Sequence, residues 1–333
     1  MEKAYYKEFD ILKGLGILCV LLGHSFALKG IDLTEYSYWS KYIRDLIYTF
    51  HMPLFFFAAG FLANKEIEYD LKKFYISKVK RILIPYFFIS FINFFIKRIF
   101  SNLVNKSELS IKEILLYGGG SWFLYTLFLI FLIFPVLDKY ILKKNSGKFI
   151  VFLFVMNIFK NIFFSDFSLR IFTIDSILFY LIYFSIGYFF KNHYLNLKNK
   201  MLNMWLIVIN SFIFLSYPYF DSSKTIHDMT IGDIFIPISG ILLFLVLSEK
   251  IKEICKADFL TFCGRNSLIF YLLEGYAIVV IREVLIRIIP INQIFLLVFM
   301  FFILKLIAIC VGIKIINKIK ILNFLFGNTT KKM

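Results

Sequence analysis

Apolar segments long enough to cross a bilayer recur along the whole chain. Ten of them, at about 11–28, 45–63, 82–100, 122–141, 149–165, 171–190, 202–218, 232–248, 266–286 and 293–316, match the 17 to 25 residues a membrane helix needs. The pattern predicts an all-α fold, a polytopic transmembrane helical bundle. Sixty per cent of the residues are hydrophobic and 44 of the 333 are Phe, so no soluble domain of useful size is left over. The connections are short, which predicts a single membrane domain over 1–333 with a frayed tail at 328–333. The fifth segment is the weakest, because Asn157, Lys160 and Asn161 interrupt its second half; a short or re-entrant segment fits it as well. The first apolar run ends in charge and histidine without a small-residue cleavage site, so no cleavable signal peptide is expected.

A net charge of +16 would suit nucleic acid, but the basic residues lie in the connections between segments. There they report orientation and contact with anionic lipid, so the bilayer is the expected partner and nucleic acid is not. With the N-terminus inside, the inner connections hold twenty-five Lys and Arg against twelve outside, and Lys305 falls within a span. That excess puts both termini in the cytoplasm if there are ten spans. The four cysteines make no secreted framework: Cys19 and Cys310 fall in spans, Cys255 and Cys263 in one inner connection. No metal site is expected either, since His24, His51, His193 and His227 fall on both sides of the membrane in this topology.

Chemistry concentrates in residues 9–25, an apolar run with Asp10 and Lys13 at one end and His24 at the other. Ionisable groups in a membrane helix are costly and are candidates for function. Eleven residues separate Lys13 from His24; at 100° per residue that is about three turns, so both share one face roughly 16 Å apart. Asp10, one turn before Lys13, is close enough to pair with it. The inside N-terminus sets Asp10 and Lys13 at the cytoplasmic face and His24 deep in the membrane. His51 opens the second span from the outer side, where it can face His24, and Pro53 fits a helix start there. Ala58, Ala59 and Gly60 permit close helix packing. The run Lys72-Lys73 and Lys78-Val79-Lys80-Arg81 sits on the inner side near Lys13. Lys80 and Arg81 with Lys13 could hold a phosphorylated ligand, with Arg81 forking onto a diphosphate. Gly118-Gly119-Gly120 reads as a flexible hinge into Ser121 and the interfacial Trp122. Gly264 reads as a turn before the ninth span, and Asn266 or Ser267 as its cap. Glu274, about two turns into that span, needs a partner such as a histidine or lysine. Structural readings stand beside these: Lys13 as an anchor that snorkels, His24 as a packing residue, His51 bound to headgroup or water, and the basic run as a topology signal.

The order Phe9-Asp10-Ile11-Leu12-Lys13-Gly14, Gly23-His24, Phe50-His51-Met52-Pro53-Leu54-Phe55-Phe56-Phe57, Gly60-Phe61, Lys80-Arg81, Pro85-Tyr86, Trp122-Phe123-Leu124 and Gly264-Arg265-Asn266-Ser267-Leu268 resembles the acyltransferase-3 family of integral membrane O-acyltransferases. It looks closest to the fucose 4-O-acetyltransferase-like branch, which O-acetylates bacterial surface sugars. The resemblance covers nearly the whole chain and implies ten spans in a bacterial cytoplasmic membrane. It implies acetyl-CoA as the cytoplasmic acyl donor, a sugar hydroxyl of a cell-surface glycan or lipid-linked precursor as acceptor, and His24 as the catalytic histidine. The chain departs from the family pattern in three places. Lys13 stands where Arg is typical, keeping the charge but losing the fork. Ala59 stands where a serine often precedes the glycine, and Glu274 where the ninth span often has a histidine.

Together these readings predict that His24 takes the acceptor's proton, that Lys13, Lys80 and Arg81 hold the CoA phosphates, and that His51 orients His24 or binds acceptor. Asp10, Trp122, Asn266, Ser267 and Glu274 are expected to support the site. An acyl-histidine relay is the alternative mechanism. The alternative class is a carrier or flippase for lipid-linked sugars, which would show internal repeats and a polar cavity over several helices. The sequence has no clear repeat, and its ionisable residues concentrate in the first two spans.

Overall fold

A backbone in lipid satisfies its polar groups within each helix, and the chain is helical nearly throughout. The computed structural model describes residues 5–28, 31–99, 109–163, 170–220, 231–290 and 293–328. Helix α1, Lys7–Gly23, passes into a 3₁₀ turn, His24–Phe26. A two-residue antiparallel pair, β1 Ala27–Leu28 and β2 Ile31–Asp32, and a 3₁₀ turn, Leu33–Glu35, lead to α2, Tyr38–Tyr69. Next come α3 Leu71–Lys78, a π turn Val79–Leu83, α4 Ile84–Ile99, α5 Ile111–Leu116 and α6 Trp122–Leu137. A second π turn, Asp138–Leu142, joins α6 to α7, Lys143–Phe163. Then follow α8 Ile174–Asn192, α9 Tyr194–Met201, α10 Met204–Phe220, α11 Ile231–Ile254 and α12 Asp258–Arg265. The chain closes with α13 Ser267–Ile288, α14 Ile294–Lys318 and α15 Lys320–Leu325.

Among the described residues, seven helices are long and apolar enough to cross a membrane, or eight if α9 and α10, bent by 76°, form one broken span. The expected ten included two more segments, which are the helices α7 and α13. Lys143, Lys144, Lys148 and Lys160 lower the apolarity of α7, and α13 carries an apolar stretch, Ser267–Ala277, among the residues whose side chains are described. Two of the polar residues that interrupt α7 find partners on α8. The Asn157 amide donates to the Leu178 carbonyl at 3.0 Å, and Lys160 pairs with Asp175 at 2.7 Å.

Several local expectations are corrected. Pro53 is inside α2, fifteen residues past its start at Tyr38, and not in a first turn. Membrane helices tolerate an interior proline when nearby groups satisfy the freed backbone. The basic run forms no loop. Asp70 is the one residue between α2 and α3; its carboxylate accepts from the amides of Lys72 and Lys73, so α3 starts at once. The residues Gly118–Gly120 form a defined turn, with left-handed φ of 69° at Gly118 and 94° at Gly120. Residues 329–333 of the expected tail lie outside the described residues, while Asn328 is tied to Asn323 and Asn317, each at 2.9 Å.

The chain packs as two units. One comprises residues 5–58, 193–220 and 231–315 among those described; the other comprises 59–192 and 316–328. In the first, lipid offers little hydrophobic drive between helices, so contacts are specified by small residues and polar pairs. Gly14 on α1 and Gly264 on α12 show the small-residue rule. A Cβ on Gly264 would collide with the Asp10 carbonyl oxygen, and one on Gly14 with the Leu260 carbonyl oxygen. Gly264 therefore serves close backbone approach within a helix and is not the expected turn. A polar knot fastens the same end of α1 to α9 and α11. The Tyr194 hydroxyl lies 2.5 Å from Glu8 and 2.6 Å from Glu249. Lys252 pairs with Glu8 at 2.7 Å, and Lys198 with Glu249 at 2.8 Å. At the opposite end of α1, Phe26, Leu33, Leu285, Leu297 and Phe301 form an apolar cluster. In the second unit, a Cβ on Gly60 would meet the Phe184 carbonyl, so the expected close packing at that glycine is present.

Candidate active site

His24 is the first residue beyond α1, so the helix delivers its ring at the end of the apolar run that begins near Lys13. Its Nδ1 lies 2.9 Å from Oε2 of Glu274 on α13. A carboxylate only accepts, so Nδ1 carries the hydrogen, and in the neutral imidazole the lone pair is then on Nε2. The other carboxylate oxygen, Oε1, lies 3.2 Å from the Lys305 ammonium on α14. Glu274 thus has both partners that its position demanded. The His24 side chain is 35% exposed, Glu274 3% and Lys305 0%, so a buried ion pair supports a reachable imidazole. Tyr48 of α2 sets its ring edge against His24 at 5.9 Å.

His51 is buried one step further in. Its ring touches Tyr48 at 5.1 Å, and its Nδ1 donates to the Ile47 carbonyl at 2.8 Å. The partner that orients His24 is Glu274, not His51. Tyr48 was missed in the sequence, where a tyrosine in an aromatic-rich helix carries no distinguishing signal. Lys305 did carry one, as a cation in the middle of a long apolar helix.

At the far end of α1 a second polar group forms. Lys13 pairs with Asp10 at 2.9 Å, one turn apart as the spacing implied. The other Asp10 oxygen accepts from Arg265 Nε and from the Tyr5 hydroxyl, each at 3.1 Å. Arg265 also donates to the Tyr5 hydroxyl at 2.7 Å and stacks over its ring. Its side chain stays 60% exposed, which leaves a guanidinium available to an anion beside the Lys13 ammonium. The Tyr5 and Asp10 hydrogen bonds hold Arg265 above its already high range, and burial pushes the Tyr5 phenol up. The close approach at Gly264 is what sets Arg265 against Asp10. The sequence places Arg265 beside a helix cap, and only the packing turns it toward α1.

The remaining predicted residues stand elsewhere. Asn266 sits at the cap position of α13, but its side chain makes no capping bond; its amide donates back to the Phe262 carbonyl at 2.8 Å. Ser267 is the first residue of α13 and half-buried. Those two residues do not cap as expected because α12 runs into α13 with almost no break. Lys80 and Arg81 are exposed on the π turn of the second unit, a widened turn of a kind common at functional sites. Trp122 opens α6 in that unit and stacks on Tyr180 at 5.6 Å. No group of three or more His, Cys, Asp or Glu side chains that could hold a metal ion occurs among the described residues.

Comparison with known proteins gives two findings. The model of the acyltransferase-3 family, described as "Acyltransferase domain", matches residues 6–314. The nodulation protein NolL of Sinorhizobium fredii (strain NBRC 101917 / NGR234) is 42% identical over 59 residues, which is 18% of this chain and 16% of that protein. No solved structure matches.

Proposed function

From the premise that the chain belongs to the acyltransferase-3 family, we propose that it moves an acetyl group from acetyl-CoA, bound from the cytoplasm, to a sugar hydroxyl of a cell-surface glycan or its lipid-linked precursor. The chain is a multi-pass membrane O-acyltransferase. The observation that supports this reading of its chemistry is the His24–Glu274 contact of 2.9 Å.

Acyl transfer to a hydroxyl needs a base, a held thioester and stabilisation of developing charge. His24 Nε2 takes the hydroxyl proton while the hydroxyl oxygen attacks the thioester carbonyl. The carbonyl electrons collapse back, the C–S bond breaks, and the imidazolium returns its proton to the departing CoA sulfur. Glu274 fixes the tautomer and stabilises the imidazolium between those steps. Lys13 and Arg265 serve the phosphates of CoA; Arg265 supplies the fork that Lys13 lacks. The rise of α1 from Lys13 to His24, roughly 16 Å, suits an extended pantetheine arm. His51 supports the wall behind Tyr48, and Asp10 sets the spacing of Lys13 and Arg265.

The test is release of free CoA thiol from acetyl-CoA by purified protein, with and without crude surface glycans. His24→Ala is expected to lose at least about 10²-fold in glycan-dependent release. Full release by a folded His24→Ala protein would remove the base from the scheme.

A further inference from the structure

We propose that Lys305 is a positioning residue of the transfer reaction, whose charge keeps the His24–Glu274 pair free of an extra proton and whose reach fixes Glu274 to the end of α1. This rests on the reading of His24 as base.

The geometry is that of a buried cation with two of its three hydrogens bonded and an aromatic face beside it. Lys305 lies near the middle of α14, where an unpaired ammonium in an apolar helix is costly. Its side chain is fully buried. Of its three N–H bonds, one reaches Glu274 Oε1 at 3.2 Å and another the Leu21 carbonyl at 2.7 Å. The ammonium also lies 4.9 Å from the centre of the Phe301 ring, whose face attracts a cation. Leu21 is in the last turn of α1, where carbonyls lack helical partners and the helix dipole is negative. The Ser25 hydroxyl donates to the same oxygen at 2.7 Å. Lys305 therefore ties the turn that carries His24 to the carboxylate that orients it.

Charge counting gives the second half of the role. With Glu274 ionised, Lys305 protonated and His24 neutral, the site carries no net charge and His24 is a base. Without Lys305 a carboxylate is left alone in a buried site, and the least costly remedy is a proton. Glu274 and His24 are 2.9 Å apart and take up that proton as one unit. On His24 it occupies the lone pair; on Glu274 it removes the charge that stabilises the imidazolium. The other titratable groups facing this pair do not substitute for Lys305. Tyr48 and His51 are ring neighbours, and the next charges, Asp32 and Arg44, pair with each other at 2.7 Å.

The experiment is the pH profile of glycan-dependent CoA thiol release from acetyl-CoA, using wild type, Lys305→Met, Lys305→Arg and His24→Ala full-length protein. Lys305→Met is expected to move the acid limb to higher pH by about one unit or more. Lys305→Arg, which keeps the charge, is expected to leave the limb at the wild-type pH whatever its rate. An acid limb unmoved in Lys305→Met, or moved equally in Lys305→Arg, overturns the proposal. If Lys305→Met does not accumulate, Lys305→Met/Glu274→Gln is compared with Glu274→Gln for thermal unfolding in detergent. The double variant is expected to be the more stable, and equal or lower stability overturns the pairing. Full release by His24→Ala would sink the base reading itself; loss there with an unmoved limb in Lys305→Met sinks the Lys305 inference alone.

Discussion

Glu274 joins two partners that do different work through its two oxygens. One oxygen orients His24 and the other meets Lys305. Replacing it by Gln keeps the shape but removes the charge. Glycan-dependent thiol release by Glu274→Gln is expected to fall on the order of 10²- to 10⁴-fold. The same change strands Lys305 as a buried uncompensated cation, at a cost of about 3–5 kcal/mol. Removing both charges in Glu274→Gln/Lys305→Met is expected to recover the unfolding temperature but not the activity. Transfer at the wild-type rate by that double variant would show that the carboxylate does not serve the base. The need of Glu274 for a partner was legible in the sequence, because a lone carboxylate in an apolar run is too costly to persist. Which partner was not legible: His24 is 250 residues away and Lys305 31, and only folding selects among distant charges. The expected pairing of Asp10 with Lys13 was legible for the opposite reason, since one helical turn fixes their distance.

At the scale of elements, α1 is held by α12 through backbone contact at Gly14 and Gly264. A methyl at Gly264 has no side-chain end to push aside, only backbone: the Asp10 carbonyl and the Gly14 nitrogen. Gly264→Ala is expected to destabilise the protein by about 1–3 kcal/mol through overpacking. It should also weaken acetyl-CoA binding, because it displaces Arg265 from Asp10. Thermal unfolding in detergent beside a binding titration checks both, and wild-type values in each would refute the packing account. The sequence shows a glycine before a span without saying whether the missing Cβ serves a turn or a close approach. A different constraint acts on the connection from α1 to α2. Burial opposes ionisation of Asp32, yet hydrogen bonds from Thr34 and the Arg44 guanidinium outweigh it and hold the carboxyl below its usual range. A depressed carboxyl stabilises the fold above its unfolded pKa, near 3.9, and that contribution is lost as pH falls through the folded value. Asp32→Asn is therefore expected to lower the unfolding temperature at neutral pH, with the gap to wild type closing below about pH 4. The pair is partly exposed, so the effect stays within about 1 kcal/mol.

At the scale of the whole molecule, the donor and acceptor sides follow from orientation. The excess of Lys and Arg in alternate connections argues for Asp10, Lys13 and Arg265 at the cytoplasmic face. That excess was counted over connections that are partly helical, since Lys72 to Arg81 lie on α3 and the π turn that follows it. Those residues still precede the apolar core of α4. The count of spans is less legible, because α7 mixes apolar and charged residues within one helix and the pair α9 and α10 is bent by 76°. Orientation nevertheless has a native reporter. Cys255 is exposed just beyond α11, Cys263 is buried, and Cys19 and Cys310 are half-buried. Cys255 shares the connection between α11 and α12 with Lys256, on the side assigned to the N-terminus. A membrane-impermeant maleimide is expected to label wild type in inverted vesicles and not in intact cells, with the signal absent from Cys255→Ser. Labelling from the outside instead would invert the bundle, put Lys13 and Arg265 on the acceptor side, and leave acetyl-CoA without a cationic face where the cell supplies it.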